Sequence, residues 1–170
     1  MSHAHYYVKE EVRNARNRRR FRQLAREVCG EVFDIPEDNR VLFAYQKHHG
    51  KETLIGEISF QIADEKLTSP GITFDSEYFH QVTFMFVKYD FQGMGIGQRL
   101  FSKLMKIIGE KSVRPIRLQS AEKAVGFFEK MQFVCQGEPI ESLCGVNLFR
   151  FMYNMERPSG YLTCDSTNDL

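Results

Sequence analysis

The sequence predicts one mixed α/β domain, α+β in layout, and three observations carry that reading. The chain has 170 residues, 42% hydrophobic and 26% charged, a balance that suits a single domain with a sizeable core. A helical pattern comes first, strand-like runs joined by a hairpin follow it, and strand and helix patterns alternate after them. Gly93, Gly95 and Gly97 then stand on alternate positions between an apolar strand-like run and a helical pattern. Glycine weakens either element, so the backbone there is expected to bend or to be approached closely.

The elements follow in order. The opening "MSHAHYYVKEEVRNARNRRR" lacks the apolar core of a signal peptide. No apolar run nears the roughly 20 residues that span a bilayer, so a cytoplasmic protein is expected, with a nuclear one as the alternative and no membrane partner. In "RNRRRFRQLAREVC" Phe21, Leu24, Ala25 and Val28 recur at helical spacing, which predicts an amphipathic helix. Its arginines, with Arg13, are read as a solvated face. A net charge of +1, from 23 basic and 22 acidic side chains, argues against nucleic acid as the main partner.

"RVLFAYQK" and "TLIGEISFQIADE" read as strands joined by the turn "HHGK". In the second, Leu54, Ile58, Phe60 and Ile62 alternate with Glu57, Ser59 and Gln61, so one face is expected to be wet or functional. The paired histidines of the turn should point apart and lack acidic or thiol company, so no metal is expected. "KLTSPGITFDSEY" reads as a long connection and "FHQVTFMFVK" as a central strand. Leu100, Phe101, Leu104, Met105 and Ile108 predict a helix that starts inside or just after the glycines. "PIRLQS" is a short strand, "AEKAVGFFEKM" a helix and "VNLFRFMYNM" a last strand. The domain is expected over residues 1–156, with a polar, flexible tail over 157–170. Cys29, Cys135, Cys144 and Cys164 form no CxxC pair and are read as free thiols.

A strand, a glycine loop and a helix N-terminus in succession describe an anion site. The first-turn N–H groups have no partner within the helix, and glycines let a phosphate reach them without meeting a Cβ. A Walker loop is excluded because Gln98 and Arg99 follow Gly97 where it needs Lys and Ser or Thr. A dinucleotide fingerprint fails as well. One residue separates Gly95 from Gly97, and "PIRLQS" ends without an acid.

"QGMGIG" resembles the pyrophosphate loop of the GCN5-related N-acetyltransferases. "FMFVKYDFQGMGIGQRLFSKLM" looks like that superfamily's fourth strand, loop and third helix, and "RLQSAEKAVGFFEKMQFV" like its fifth strand, next helix and sixth strand. The resemblance covers about residues 10–155. It implies a mostly antiparallel twisted sheet of six to seven strands flanked by helices, parted between strands four and five. It also implies acetyl-CoA as cosubstrate, without a metal. Backbone groups of Met85, Phe86 and Val87 would then bond the pantetheine arm and the thioester carbonyl. Gln92, Gly93, Met94, Gly95, Ile96, Gly97 and Gln98 would hold the diphosphate. Gln119, Ser120, Phe127 and Phe128 would lie along the cofactor arm.

The catalytic positions depart from the family. Phe128 stands where many members have the tyrosine that protonates the leaving thiolate, and Tyr89, Ser120 or Tyr153 could supply a proton instead. Gln81 and Thr83 stand where members often carry a strand-four glutamate. Glu57, on the polar face of the preceding strand, is the candidate base, and His80 is its rival, with the opposite parity on its strand. Gln132 replaces a customary glycine before Phe133. The expected function is transfer of acetyl from acetyl-CoA to a primary amine of a small molecule or protein, by a monomer or homodimer. A non-catalytic acyl-CoA-binding module on the same fold is the alternative, and an adaptor acting through the arginine helix a third.

Overall fold

A computed structural model of the chain describes residues 3–63, 79–109, 114–141 and 151–158. The expected connection over 66–78, Cys144, Cys164 and the end of the tail lie outside them. The fold is mixed α/β, with a mostly antiparallel sheet of eight strands and flanking helices. The described residues cluster in two compact units, one within Met1–Gln61 and Thr83–Ile108, the other within Ile62–Val82 and Gly109–Leu170.

The first unit holds β1 (His5–Glu11), α1 (Ala15–Cys29), β2 (Arg40–His48), β3 (Lys51–Gln61), the later residues of β4 (His80–Val87) and α2 (Ile96–Ile108). Helix α1 is set by its ends. The Asn14 side chain accepts from the Asn17 N–H, and Gly30, at φ 75, closes the last turn by donating to the Arg26 carbonyl. Its buried stripe is Phe21, Leu24, Ala25 and Cys29, so Cys29 takes the deep position expected for Val28. Strands β1 to β3 pair antiparallel in sequence order, and a hairpin turn of His49 (φ 49) and Gly50 (φ 74) joins β2 to β3. The rings of His48 and His49 do not point apart but meet edge to face at 4.0 Å.

The pairing of β2 and β3 is interrupted once. Ala44 faces Gly56 and Tyr45 faces Leu54, leaving Ile55 as a bulge. Every residue from Ile55 to Phe60 is buried, which corrects the expected wet face of β3. The reason is two-sided cover. A Cβ on Gly56 would lie 3.4 Å from Ile96 and Leu100 of α2. The opposite face is α1's, since Arg20 of that helix stands over the rings of Phe43 and Tyr45.

The second unit holds the first residues of β4, β5 (Ile116–Ala121), α3 (Val125–Lys130), β6 (Val134–Cys135), β7 (Ile140–Glu141) and β8 (Phe151–Arg157). The parallel ladder of β4 on β5 is confined to His80↔Ile116 and Gln81↔Arg117 and then stops, which is the expected parting of strands four and five. Strands β5, β6 and β7 each pair antiparallel with β8. The turn before Phe133 exists despite Gln132, which takes the left-handed φ of 71 itself. Arg157 holds it by donating to the Met131 carbonyl at 3.2 Å and to the Gln132 side chain at 3.1 Å. Among the described residues no helix is long and apolar enough to cross a membrane.

Candidate functional site

The glycine loop follows directly from β4 through a short 3-10 turn over Tyr89–Phe91. Gly93 and Gly95 have φ of 77 and 81, a conformation that L side chains rarely adopt. Space is open at both. A Cβ on Gly93 would meet nothing within 4 Å, and one on Gly95 only the Gln98 side chain, at 3.9 Å. The helix begins inside the triplet, with Ile96 buried and Gly97 in the first turn. The backbone amides of Gly97 and Gln98 therefore belong to the group that no α-helix satisfies internally. Gln92 turns the other way, and its Nε2 donates to the Val87 carbonyl at 3.0 Å. Its part is to tie the loop to the end of β4.

A groove of about 530 Å³ opens from this loop along α2, lined by Val8, Met94, Gly95, Gln98, Arg99, Ser102, Lys103 and Lys106. The N-terminal end of α2 and its cations give the groove a positive field suited to an anion.

On β4 the backbone directions are set by β3. The Lys88 N–H donates to the Ile55 carbonyl at 2.8 Å, and the Phe86 carbonyl lies 3.0 Å from where Gly56 would carry a Cβ. Backbone polar groups alternate sides along a strand, so Met85 and Val87 turn their N–H groups away from β3. Of the three residues expected to bond the cofactor arm, Phe86 is thus directed at β3, and Met85 and Val87 carry the outward amides. Side chains alternate as well. Phe84 and Phe86 pack on Phe21 of α1, each at 5.9 Å between ring centroids, so Thr83, Met85 and Val87 project from the opposite face. The Thr83 hydroxyl donates to Asn39 Oδ1 at 2.6 Å.

Glu57 is fully buried, and neither carboxylate oxygen has a hydrogen-bond partner. It pairs with Phe43 across the ladder, and directly opposed residues share a face, so its carboxyl lies on the α1 side. That is the side of Phe84 and Phe86, buried under α1, and not the wet polar face expected of it. Burial alone raises its pKa well above the ordinary carboxylate value, because no partner stabilises the charged form.

His80 is buried, and its Nδ1 accepts from the Ala63 N–H at 3.1 Å, so that lone pair is committed to the backbone. On β5, Gln119 is exposed and donates to Asn154, whereas Ser120 is buried and donates to the Ala121 carbonyl. Alternation sends these two side chains to opposite faces. Phe128 is buried against Phe127 and Phe133, with ring centroids 5.2 and 5.6 Å away.

The arginine helix is more structural than its sequence suggests. Arg18 holds Asp34 through Nε and Nη2, the shortest contact 2.6 Å, and this bonding keeps the Asp34 carboxyl below its usual pKa. Arg13 donates to the Ile35 carbonyl, and Arg20 to Asn17 and Tyr45. Arg16, Arg19 and Arg26 are exposed. The residues that sequence reasoning missed are Gly56, whose lack of a Cβ lets β3 lie against Phe86, and the cations of α2. The helical spacing of Arg99, Lys103 and Lys106 was the available signal for the latter.

A family model for the acetyltransferase (GNAT) domain matches residues 7–149. Among curated proteins none matches by sequence. Similar solved structures include nourseothricin acetyltransferase, with a TM-score of 0.63 and 17% identity over 91% of this chain and 98% of that one. Arabidopsis thaliana NAA60 in complex with a bisubstrate analogue has a TM-score of 0.65 and 18% identity, covering 89% of this chain and 99% of that one. The ribosomal-protein-S18-alanine N-acetyltransferase of Escherichia coli has a TM-score of 0.65 and 12% identity, covering 98% and 99%. At such identities the likeness is one of fold.

Proposed function

Because the chain belongs to the GNAT acetyltransferase domain family, we propose that it moves an acetyl group from acetyl-CoA to a primary amine by direct attack in a ternary complex. The observation that carries this reading is the open glycine loop at the head of α2, with left-handed Gly93 and Gly95 and only the Gln98 side chain, 3.9 Å from a Cβ on Gly95, beside them. A diphosphate can rest on those amides. The outward N–H of Val87 or Met85 would polarise the thioester carbonyl as its oxygen gains charge.

The neutral amine attacks the carbonyl carbon, the carbon–sulfur bond breaks, and the amine's proton passes to a base. Glu57 is not placed to be that base, since its carboxyl is fully buried and without a hydrogen-bond partner in the apolar layer under α1. Burial raises its pKa well above the ordinary carboxylate value and so favours the neutral acid. The departing thiolate needs no dedicated acid, since a thiol of pKa about 8.5 leaves at modest cost. Solved structures of this fold include nourseothricin acetyltransferase and a ribosomal-protein-S18-alanine N-acetyltransferase, and the acceptor is proposed as a primary amine of a small molecule or a protein.

Phe128 favours a second reading, an acyl-CoA-binding module without turnover, because a packed phenyl ring stands where many members have an acidic hydroxyl. The test is release of free thiol from acetyl-CoA over a panel of primary amines, with a thermal shift by acetyl-CoA alone as the binding control. Thiol release above the buffer rate supports the enzyme. Binding without release for every amine supports the module, and no binding overturns both.

A further inference from the structure

The outer face of α1 carries charge that the fold does not use. Arg16, Arg19, Gln23 and Arg26 are exposed and recur at i, i+3, i+7 and i+10, so they form one stripe opposite the buried Phe21, Leu24 and Ala25. The acids nearby are engaged by other side chains. Asp34 is held by Arg18 and Arg22, and Glu27, the one acid in the sequence of α1, by Lys88 at 3.1 Å and by Gln23 at 3.3 Å. Among the described residues Arg16, Arg19 and Arg26 form no ion pair. Arg26, in the last turn, answers the helix dipole, but no acid stands in the first turn, where Arg16 meets the positive end. Like charges at helical spacing repel, so the stripe costs α1 stability unless an anion joins it.

We infer that this stripe seats an acidic polypeptide segment of a protein acceptor, close in sequence to the amine that is acetylated. The inference rests on the acetyl-transfer reading and narrows its acceptor. Position supports it. Phe21 of α1 packs on Phe84 and Phe86 of β4, and the Glu27–Lys88 pair sets the last turn of α1 beside the residue that follows Val87. From Arg26 back to Arg16 the helix rises about 15 Å, the span of roughly four to five extended residues. Guanidinium groups take carboxylates in paired hydrogen bonds, so an extended chain with acids along that length matches the stripe. Nucleic acid suits it less, because the carboxylates of Glu27 and Asp34 flank the stripe and the net charge of the chain is only +1.

The experiment compares two peptides with a single primary amine, one carrying glutamates over about ten residues beyond the amine and the other glutamines in their place. The readout for each protein is the ratio of kcat/KM on the two. At low salt wild type should favour the acidic peptide at least about tenfold, the combined effect of two or three exposed ion pairs, and chiefly through KM. In R16Q/R19Q/R26Q the ratio should fall below about twofold, and added salt should lower it in wild type. Glutamine matches arginine in helix propensity, and R19E alone serves as the second variant should the triple one fail to fold, with the same loss of preference expected. A ratio near one while both peptides are acetylated overturns the inference and leaves the acetyl-transfer reading intact. So do a ratio that persists in the folded variants, transfer to small amines but to neither peptide, and a short DNA duplex that outcompetes the acidic peptide. Transfer to no amine of any kind overturns both readings together.

Discussion

Glu57 faces Phe43 directly across the β2–β3 ladder, and the guanidinium of Arg20 lies 5.4 Å over the centre of that ring. The carboxyl is therefore sealed between the sheet and α1, on the side away from Gly56 and α2. Apolar side chains of α1 such as Phe21, Leu24 and Ala25 form the buried stripe there, so ionising Glu57 places a charge in an apolar layer.

This burial makes stability depend on pH. With the folded pKa raised, the native state keeps its proton after the unfolded chain has lost one. Stability is thus full below about pH 4.5 and falls as pH rises toward the folded value. Relative to Glu57→Gln, wild type should lose up to about 1.4 kcal/mol per pH unit within that window. Denaturant titrations of both proteins at pH 4.5, 6 and 7.5 would measure the difference, and a constant difference refutes the buried ionisable carboxyl. In transfer assays the same variant should keep acetyl-CoA affinity and turn over at close to the wild-type rate, because the sealed carboxyl does not reach an acceptor amine.

Gly95→Asp tests the loop. The new side chain enters the open space above the amides and sets a carboxylate against the diphosphate, so acetyl-CoA should bind at least about 2 kcal/mol more weakly. Calorimetry on a folded variant checks it, and unchanged affinity would remove the loop from the binding site.

Gly56→Ala should act on strand position. Its Cβ would stand 3.0 Å from the Phe86 carbonyl, a backbone atom that cannot rotate aside, and the other neighbours belong to α2. A loss of about 1 to 3 kcal/mol of stability is expected, the usual cost of overpacking. Chemical denaturation within about 0.5 kcal/mol of wild type, the scatter of inert surface changes, would show that β4 yields freely.

At Gln132 the left-handed φ of 71 selects among residues. Gln132→Gly should stay within about 0.5 kcal/mol of wild type, since relief of strain offsets the added freedom of the unfolded chain. Gln132→Val should cost about 1 to 3 kcal/mol, because a β-branched residue is poorly accommodated there. Comparable melting of the two variants would mean that the turn is soft.

Much of this architecture was legible in the residues. The glycine triplet marked the bend at Gly93 and Gly95, and helical spacing located α1 and α2. Strand β1 was overlooked because the β-forming run Tyr6, Tyr7 and Val8 passes at once into Lys9, Glu10 and Glu11, which read as solvent. Glu57 was expected on a wet face and is buried for a tertiary reason. Alternation describes a strand with one covered side, whereas β3 is covered on both. The pairing of Arg18 with Asp34 joins residues that no local pattern relates, so the arginine run looked more solvated than it is.

The aromatic group between α1 and β4 has a spectroscopic consequence. Phe33 stacks on Phe84 with centroids 4.9 Å apart, and Phe21 and Phe86 complete the cluster beside the strand that bears the outward amides of Met85 and Val87. The chain contains 0 tryptophans. Its emission under 295 nm light is consequently dark, and an indole introduced by Phe33→Trp would be the sole fluorophore excited, sited one side chain from β4. A single optical reporter can therefore register occupancy of that strand's edge in solution, without a label and against no background.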